Sequence, residues 1–405
     1  MRSVQRLGAT DAWDFVSGSY MRDGRVTSDP GLTVTRASVG TAETADGRII
    51  TFGSGQLRRT DKGILVEGAR TNLLLYSQEF DSVEWSKNNI DATPNAAAAP
   101  DGTLTADIVS PILPAVGTVF LNASGNLPAV SGSSCTFSVF VRADNIIDAT
   151  QVFLLRDNTA AVNKVTGTLT WATMTISGAG ASISRLGNTD WYRITLTDNA
   201  WTSGNQARVY PGWIGGSATP GHSFAIWGAQ MEAAAFPSSY IPTEGSTVTR
   251  AADVVTAVPT AGTDYPLTLF GEWQRIGGTD ASSFYRVIGL GRSGVTTEEV
   301  TLYQRHTTNV VRAFVVDGGV DQTLGTGSIG AISRAAARFA TNDVTGSFNG
   351  QAVASDTSAA LPANAPDIIR FGMNRANVEQ LDGYLRSAVV VPRALTDAEL
   401  QGITT

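Results

Sequence analysis

Short runs of alternating apolar and polar residues, rich in β-branched and aromatic types, succeed one another through most of this chain. Thr136 to Val141, Gln151 to Leu155, Thr168 to Ile176, Tyr192 to Leu196, Ala207 to Tyr210 and Ser223 to Trp227 are such runs, separated by Asp-Asn, Gly-Asn, Gly-Gly or Pro-Gly pairs. A period of two places successive side chains on opposite faces of a strand, and the intervening pairs supply turn geometry. The pattern resumes in Leu267 to Trp273, Arg286 to Leu290, Val300 to Gln304, Val310 to Val316, Ile368 to Phe371 and Leu385 to Val391. Punctuation this regular predicts sandwiches or jelly rolls. Charged residues make up only 16% against 42% hydrophobic, too few for helices laced with salt bridges, while 42 glycines suit many tight turns.

The expected fold is all-β: two tandem jelly-roll or β-sandwich domains preceded by an extended N-terminal arm. With 405 residues, two or three domains of ~100–200 residues are the prior. Residues 1–62 hold few clustered large apolars and read as an attachment or oligomerisation arm. Residues 63–255 form the first sandwich and 256–405 the second. Thr33-Val34-Thr35-Arg36-Ala37 recurs as Thr247-Val248-Thr249-Arg250-Ala251, which reads as two equivalent edge strands flanking one module. In the last third, Asn349-Gly350 predicts a two-residue hairpin turn, and Asp317-Gly318-Gly319 another. The one expected helix is terminal, with Thr396 as cap, Glu399 closing a capping box, and Leu395 and Leu400 as a hydrophobic staple.

A formal net charge of -7 argues against a phosphate backbone as partner, so nucleic acid is not expected. The N-terminus lacks the apolar run of a signal peptide, and no stretch approaches the ~18 apolar residues of a membrane helix, so no membrane insertion is expected. Cys135 is the single cysteine and reads as a half-buried strand position. No cofactor and no metal are expected.

Motif-borne chemistry is scarce. Gly289-Leu290-Gly291-Arg292-Ser293-Gly294 and Gly325-Thr326-Gly327-Ser328-Ile329-Gly330 both fit GxGxxG, but the first runs into a strand-like segment rather than a helix, and both read as turns. Glu298 and Glu299 are adjacent, so in a strand they point to opposite faces and cannot flank one glycosidic bond. Asp317 and Asp321 read as turn formers. His222, after Pro220-Gly221, reads as a turn or rim residue. No catalytic residue is assigned. Sugar rings stack on flat side chains beside hydrogen-bonding groups, so Trp201, Tyr210 and Trp213, in or beside turns, are candidate carbohydrate contacts. Tyr303, Arg305 and His306 form a second candidate rim. Each has a competing reading as a packing residue, whereas Trp171, Trp191 and Trp227 read as core.

The segments GILVEGARTNLLLYSQEFDSVEWSKNN, PNAAAAPDGTLTADIVS and SSYIPTEGSTVTRAAD resemble, in order, a carbohydrate-binding-like module of phage head-spike, tail-fibre and gene-transfer-agent spike proteins. RFATNDVTGSFNGQAVASDTS and LDGYLRSAVVVPRALTDAEL resemble the end of a concanavalin-A-like or laminin-G-like jelly roll, without the acidic loop that carries calcium in many lectins. The resemblance implies that Glu67, Arg70, Asn72 and Trp85 hold the fold. It further implies a non-enzymatic spike or fibre on a virion surface, made in the bacterial cytoplasm, that binds a host capsule or surface glycan. Its arm would contact other virion proteins, and a homo-oligomer, by preference a trimer, would cover open strand edges. A capsule-depolymerising spike and a purely structural decoration or collar protein are the alternatives.

Overall fold

The computed structural model describes residues 2–112, 120–123, 127–213, 218–260, 263–277, 284–305, 308–316 and 320–405. Almost every predicted run is a strand, and the chain divides into two compact units. Unit 1 comprises residues 1–39, 52–69 and 251–405, and unit 2 comprises residues 40–51 and 70–250.

In unit 1 a 10-stranded and a 7-stranded antiparallel sheet share one core. The long sheet contributes Trp13, Leu269, Trp273, Phe339, Phe348 and Val390 to that core, and the shorter one contributes Val255, Ile288, Leu290, Leu302, Val311 and Phe371. Two facing sheets each burying alternate residues is the packing of a β-sandwich. The C-terminal helix Asp397–Thr404 has the expected capping box, with Thr396 accepting from the Glu399 backbone and Glu399 bonding back. Leu395 and Leu400 are buried in a small cluster on the opposite side of the long sheet, with Phe270, Ala336 and Val389. A short helix, Arg2–Arg6, was not expected. The Asn349-Gly350 turn has both residues at positive φ (46° and 71°), as a two-residue hairpin turn requires. Asp317-Gly318-Gly319 lies outside the described residues.

The arm reading of residues 1–62 does not hold. Strand Asp11–Asp14 pairs with Gly383–Val391 and with Ser19–Arg22, and Trp13 and Phe15 are fully buried. The segment is poor in large apolars because it completes sheets whose other strands lie hundreds of residues away. Residues 40–51 belong instead to unit 2, so the domain limits expected at 62 and 255 give way to a nested arrangement. The repeated pentapeptide reflects this. Leu32–Thr35 is the edge strand of the 7-stranded sheet of unit 1, against Val254–Ala257, whereas Val248–Arg250 pairs with Arg70–Asn72 in unit 2.

A buried ionic knot joins the three sequence segments of unit 1. Asp253 accepts from Arg36 Nη1 at 3.0 Å and is also paired with Arg58. Arg58 Nη1 reaches Glu67 Oε2 at 2.7 Å, and Glu67 N donates to Asp253 Oδ2 at 2.9 Å. Removing one partner of such a pair strands a buried charge, at about 3–5 kcal/mol.

Unit 2 places a 6-stranded sheet opposite a 4-stranded one. Phe137, Val139, Ile194, Leu196 and Ile226 of the first meet Phe153, Leu155, Leu169 and Val209 of the second. The expected strand from Thr168 to Ile176 is broken by a turn after Thr170, between strands Val162–Thr170 and Thr175–Ser177. Cys135 is fully buried rather than half-buried, and burial pushes its thiol up, away from reactivity. Asn72 is also fully buried, with its amide bonding Ala229 O and Ile241 O while its oxygen accepts from Leu74 N and Met231 N. Trp85 is buried against Phe80, ring centroids 4.7 Å apart, and donates to Tyr76 O. The roles expected for Glu67, Asn72 and Trp85 are therefore structural.

Candidate carbohydrate-binding face

The side of the 7-stranded sheet turned away from the unit 1 core is charged and aromatic rather than apolar. Strand Glu299–Arg305 follows a strict alternation: Val300 and Leu302 enter the core, so Glu299, Thr301, Tyr303 and Arg305 stand on the other face. On the neighbouring strand Phe284–Gly291 a register shift falls between Arg286 and Ile288, so that Arg286 pairs with Tyr303 and Ile288 with Leu302. This bulge puts Arg286 outward and Ile288 inward, although alternation alone would place both on one face.

Arg286 is the hub. Its guanidinium carbon lies 4.9 Å from the Tyr303 ring centroid, 5.5 Å from Phe284 and 5.8 Å from Phe314. Such contacts add about 0.5–2 kcal/mol each and favour a flat cation. Nε and Nη2 both donate to Glu379 Oε2 at 2.8 Å. Glu379 has a positive φ of 58°, a strained setting for a non-glycine residue. The Tyr303 hydroxyl donates to Asp321 Oδ1 at 2.7 Å, and Arg312 Nη1 donates to Asp321 Oδ2 at 2.7 Å. Burial together with the Asp321 carboxylate pushes the Tyr303 phenol up, so it stays a donor. Phe284 and Phe314 are half-exposed, which leaves aromatic surface beside these fixed polar groups.

The inner end of the face is drier. Glu299 and Thr301 are fully buried and Arg370 is 3% exposed. Arg375 Nη1 comes within 3.6 Å of Glu299 Oε2, yet neither Glu299 oxygen has a hydrogen-bond partner among the described residues. Burial pushes the Glu299 carboxyl above its ordinary range, against the pull of Arg286, Arg370 and Arg375. Gly289 and Gly291 make room here. A Cβ on Gly289 would fall 2.8 Å from Glu299 Oε1, and one on Gly291 3.0 Å from Arg370 Nη1. The first GxGxxG run is thus strand followed by turn, with its first two glycines serving close packing.

Of the residues proposed from sequence, Tyr303 and Arg305 lie on this face, Tyr303 buried beneath it and Arg305 exposed at its end. His306 lies outside the described residues, as does Asp317. Asp321 is a strand residue within Val320–Thr326, not a turn former. Sequence reasoning missed Arg286, Arg370 and Phe314, and weighed Glu299 only as half of a catalytic pair with Glu298 before setting it aside. The glycines facing a glutamate across two strands were the available signal.

The unit 2 candidates are corrected. Trp201 and Trp213 are buried, 4% and 6% exposed, and belong to the core. Trp213 stacks on Phe224 with centroids 4.9 Å apart. Both indoles pack into the core between the sheets, so neither ring is presented to a sugar. Tyr210 is a half-buried residue of strand Ala207–Gly212 opposite Leu154. His222 is fully buried rather than at a rim. Its Nδ1 accepts from Ile147 N and Asp148 N at 3.0 Å, and its Nε2 meets Gln151 Oε1 at 3.1 Å.

A separate cleft of about 370 Å³ opens on the outer side of the 10-stranded sheet, lined by Asp14, Phe270, Glu272, Arg334 and Arg386 among others. Glu272 bridges Arg334 and Arg386 at 2.7 Å each, and Asp14 bonds Ser17. Both carboxylates are committed to protein partners. Among the described residues no group of three or more His, Cys, Asp or Glu side chains is placed to hold a metal ion. No helix among them is long and apolar enough to cross a membrane.

No family model matches the chain, and no curated protein matches it. Among solved structures it is similar to the CBM40 domain of the Ruminococcus gnavus IT-sialidase bound to α2,3-sialyllactose. The identity is 16% and the TM-score 0.28, over 35% of this chain and 83% of that one. A SAP-like pentraxin from Limulus polyphemus matches at 9% identity and TM-score 0.26, over 35% of this chain and 70% of that chain. Trypanosoma rangeli sialidase with the inhibitor DANA matches at 11% identity and TM-score 0.31, over 74% of this chain and 60% of that chain. At these scores none of the likenesses speaks to what this chain binds.

Proposed function

We propose that the chain is a non-enzymatic glycan-binding protein of the spike or fibre type, acting on a virion or virus-like particle surface, with the unit 1 face as its sugar site. The observation that carries the binding reading is Arg286. It is held among Phe284, Tyr303 and Phe314 and fixed by Glu379, with Asp321 and Arg312 alongside. A sugar offers apolar C–H faces to aromatic rings and hydroxyls to fixed carboxylates and guanidinium groups, and this face places both side by side. The particle role rests on the three ordered segments that resemble phage spike modules. In a homo-oligomer, weak single sites would gain avidity of roughly 10²–10⁴.

One observation favours a capsule-cleaving enzyme instead. A buried glutamate pushed above its ordinary range, as Glu299 is, has the property a general acid needs. The acid would also need a second carboxylate free to act, whereas Glu379 is held by Arg286.

A glycan array with the purified protein, paired with a reducing-end assay on the polysaccharides that bind, separates the readings. Binding without new reducing ends is expected. Phe314→Ala should weaken binding about tenfold, as loss of one ring contact of ~1–1.5 kcal/mol implies, with the melting curve kept. Release of reducing ends would replace the binding reading by the enzymatic one, and silence in both assays would leave a structural particle protein.

A further inference from the structure

The inner end of the same face holds a buried cation without a counter-ion. Arg370, 3% exposed, has no carboxylate within ion-pair distance among the described residues. Among these residues its side chain's one hydrogen bond runs from Nη2 to the Arg292 carbonyl at 3.3 Å, and Nε and Nη1 have no partner there. Arg286 Nη1 is likewise unpartnered. A guanidinium taken out of water without a partner is costly, and proteins otherwise avoid it.

None of the surrounding carboxylates among the described residues is in contact with Arg370. Arg286 is neutralised by Glu379. Arg292 approaches Glu298 at 3.8 Å, while Glu298 Oε1 also accepts from Asn364 Nδ2 at 2.9 Å. Asp367 accepts from Ser293. Arg375 is the nearest cation to Glu299, at 3.6 Å. Asp367 and Glu299 both pull on Arg370, each from beyond ion-pair distance, and burial pushes the Glu299 carboxyl above its ordinary range.

Two further arginines border this cluster. Arg375 is 25% and Arg292 39% exposed at the side chain, and both come from loops rather than strands. Arg375 follows the positive-φ Gly372, in a loop that returns to the sheet at Gly383.

We propose that the inner end of this face receives the carboxylate of an acidic sugar residue, of the uronic or sialic type. Arg370 and Arg286 donate to the carboxylate, and Glu299 bonds a neighbouring oxygen of the same sugar. The aromatic end then takes the adjoining ring. A neutral sugar would leave Arg370 as it is, a buried guanidinium with no carboxylate in contact, so the ligand class follows from the ion pair left unmade. This inference rests on the glycan-binding reading and narrows it.

The test is titration calorimetry of the full chain with sialyllactose, with a glucuronic-acid oligosaccharide, and with carboxylated ligands from the array. Each is run beside its counterpart in which the carboxylate has been reduced to an alcohol. The carboxylated form should bind at least about tenfold more tightly, and Arg370→Gln should abolish that preference while sparing the residual affinity for the reduced form. If Arg370→Gln fails to fold, as judged by circular dichroism, the paired ligands on the unaltered protein decide alone. Equal affinity for both forms, or binding of neutral glycans only, overturns the acidic-sugar inference and leaves the glycan reading standing. No binding by any glycan overturns both.

Discussion

Asn72 offers a stringent test of how unit 2 is held together. Its side chain is fully buried and makes four hydrogen bonds to backbone, at 2.9–3.1 Å, from Nδ2 to Ala229 O and Ile241 O and into Oδ1 from Leu74 N and Met231 N. Asn72→Ala strips the partners from two carbonyls and two N–H groups at once. Each buried group left unmade costs about 1–3 kcal/mol, and local relaxation together with water entry keeps the sum below full additivity, so a loss of about 3–5 kcal/mol is expected. Asn72→Asp separates the two halves of the network, because it keeps both acceptor bonds and turns both donors into a carboxylate facing two carbonyls. At neutral pH it should be at least as destabilising as alanine, and it should recover on acidification, when a protonated carboxyl again offers a donor, whereas alanine should not. Urea unfolding followed by tryptophan fluorescence is the assay. Trp85, Trp171, Trp191, Trp201, Trp213 and Trp227 lie in unit 2, against Trp13 and Trp273 in unit 1, so the signal reports mainly on unit 2. The midpoint should fall by about 1–5 M at a slope of ~1–3 kcal/mol/M. A loss under about 1 kcal/mol for alanine, or an aspartate variant as stable as the parent at neutral pH, would refute the network as described.

Further outcomes follow from other contacts. Lys87 Nζ donates to the carbonyls of Phe80, Asp81, Ser82 and Trp85 at 2.8–3.1 Å, so Lys87→Met should cost about 2 kcal/mol in a thermal melt and loosen the 80–85 turn in hydrogen exchange. Burial holds the His222 imidazole below its ordinary value of 6.5, so the unfolded chain takes up a proton that the folded one refuses. The stabilisation is complete above pH 6.5 and is lost as pH falls through the lowered folded value; a His222→Gln variant should lack that slope between neutral and mildly acidic pH in denaturant titrations. Gly289→Ala should drive its Cβ against Glu299 Oε1, cost about 1–3 kcal/mol and weaken glycan binding at the inner face in calorimetry; unchanged affinity would separate Glu299 from the site.

The strand pattern was legible because period two and turn chemistry act over a few residues. Cys135–Ala143, Phe224–Glu232 and Gly383–Val391 all lie where alternation placed them, and the terminal helix was marked by Thr396 and Glu399 alone. What local pattern does not carry is partnership. Asp11–Asp14 reads as part of a tail until Gly383–Val391 supplies its neighbour, and Arg36, Arg58, Glu67 and Asp253 read as scattered charges until folding brings them within hydrogen-bond distance. The candidate face was hidden for the same reason, compounded by a bulge. Glu299 and Tyr303 could be assigned to one face of their strand from spacing. Arg286 could not, since a single extra residue at Val287 decides whether it faces core or outward. The aromatic criterion failed in unit 2 because residues next to turns were taken as exposed, yet Trp201 and Trp213 are buried in the core cluster. The stronger sign of a binding surface is the reverse anomaly found in unit 1, where charge occupies a buried sheet face that apolar residues would have filled at lower cost.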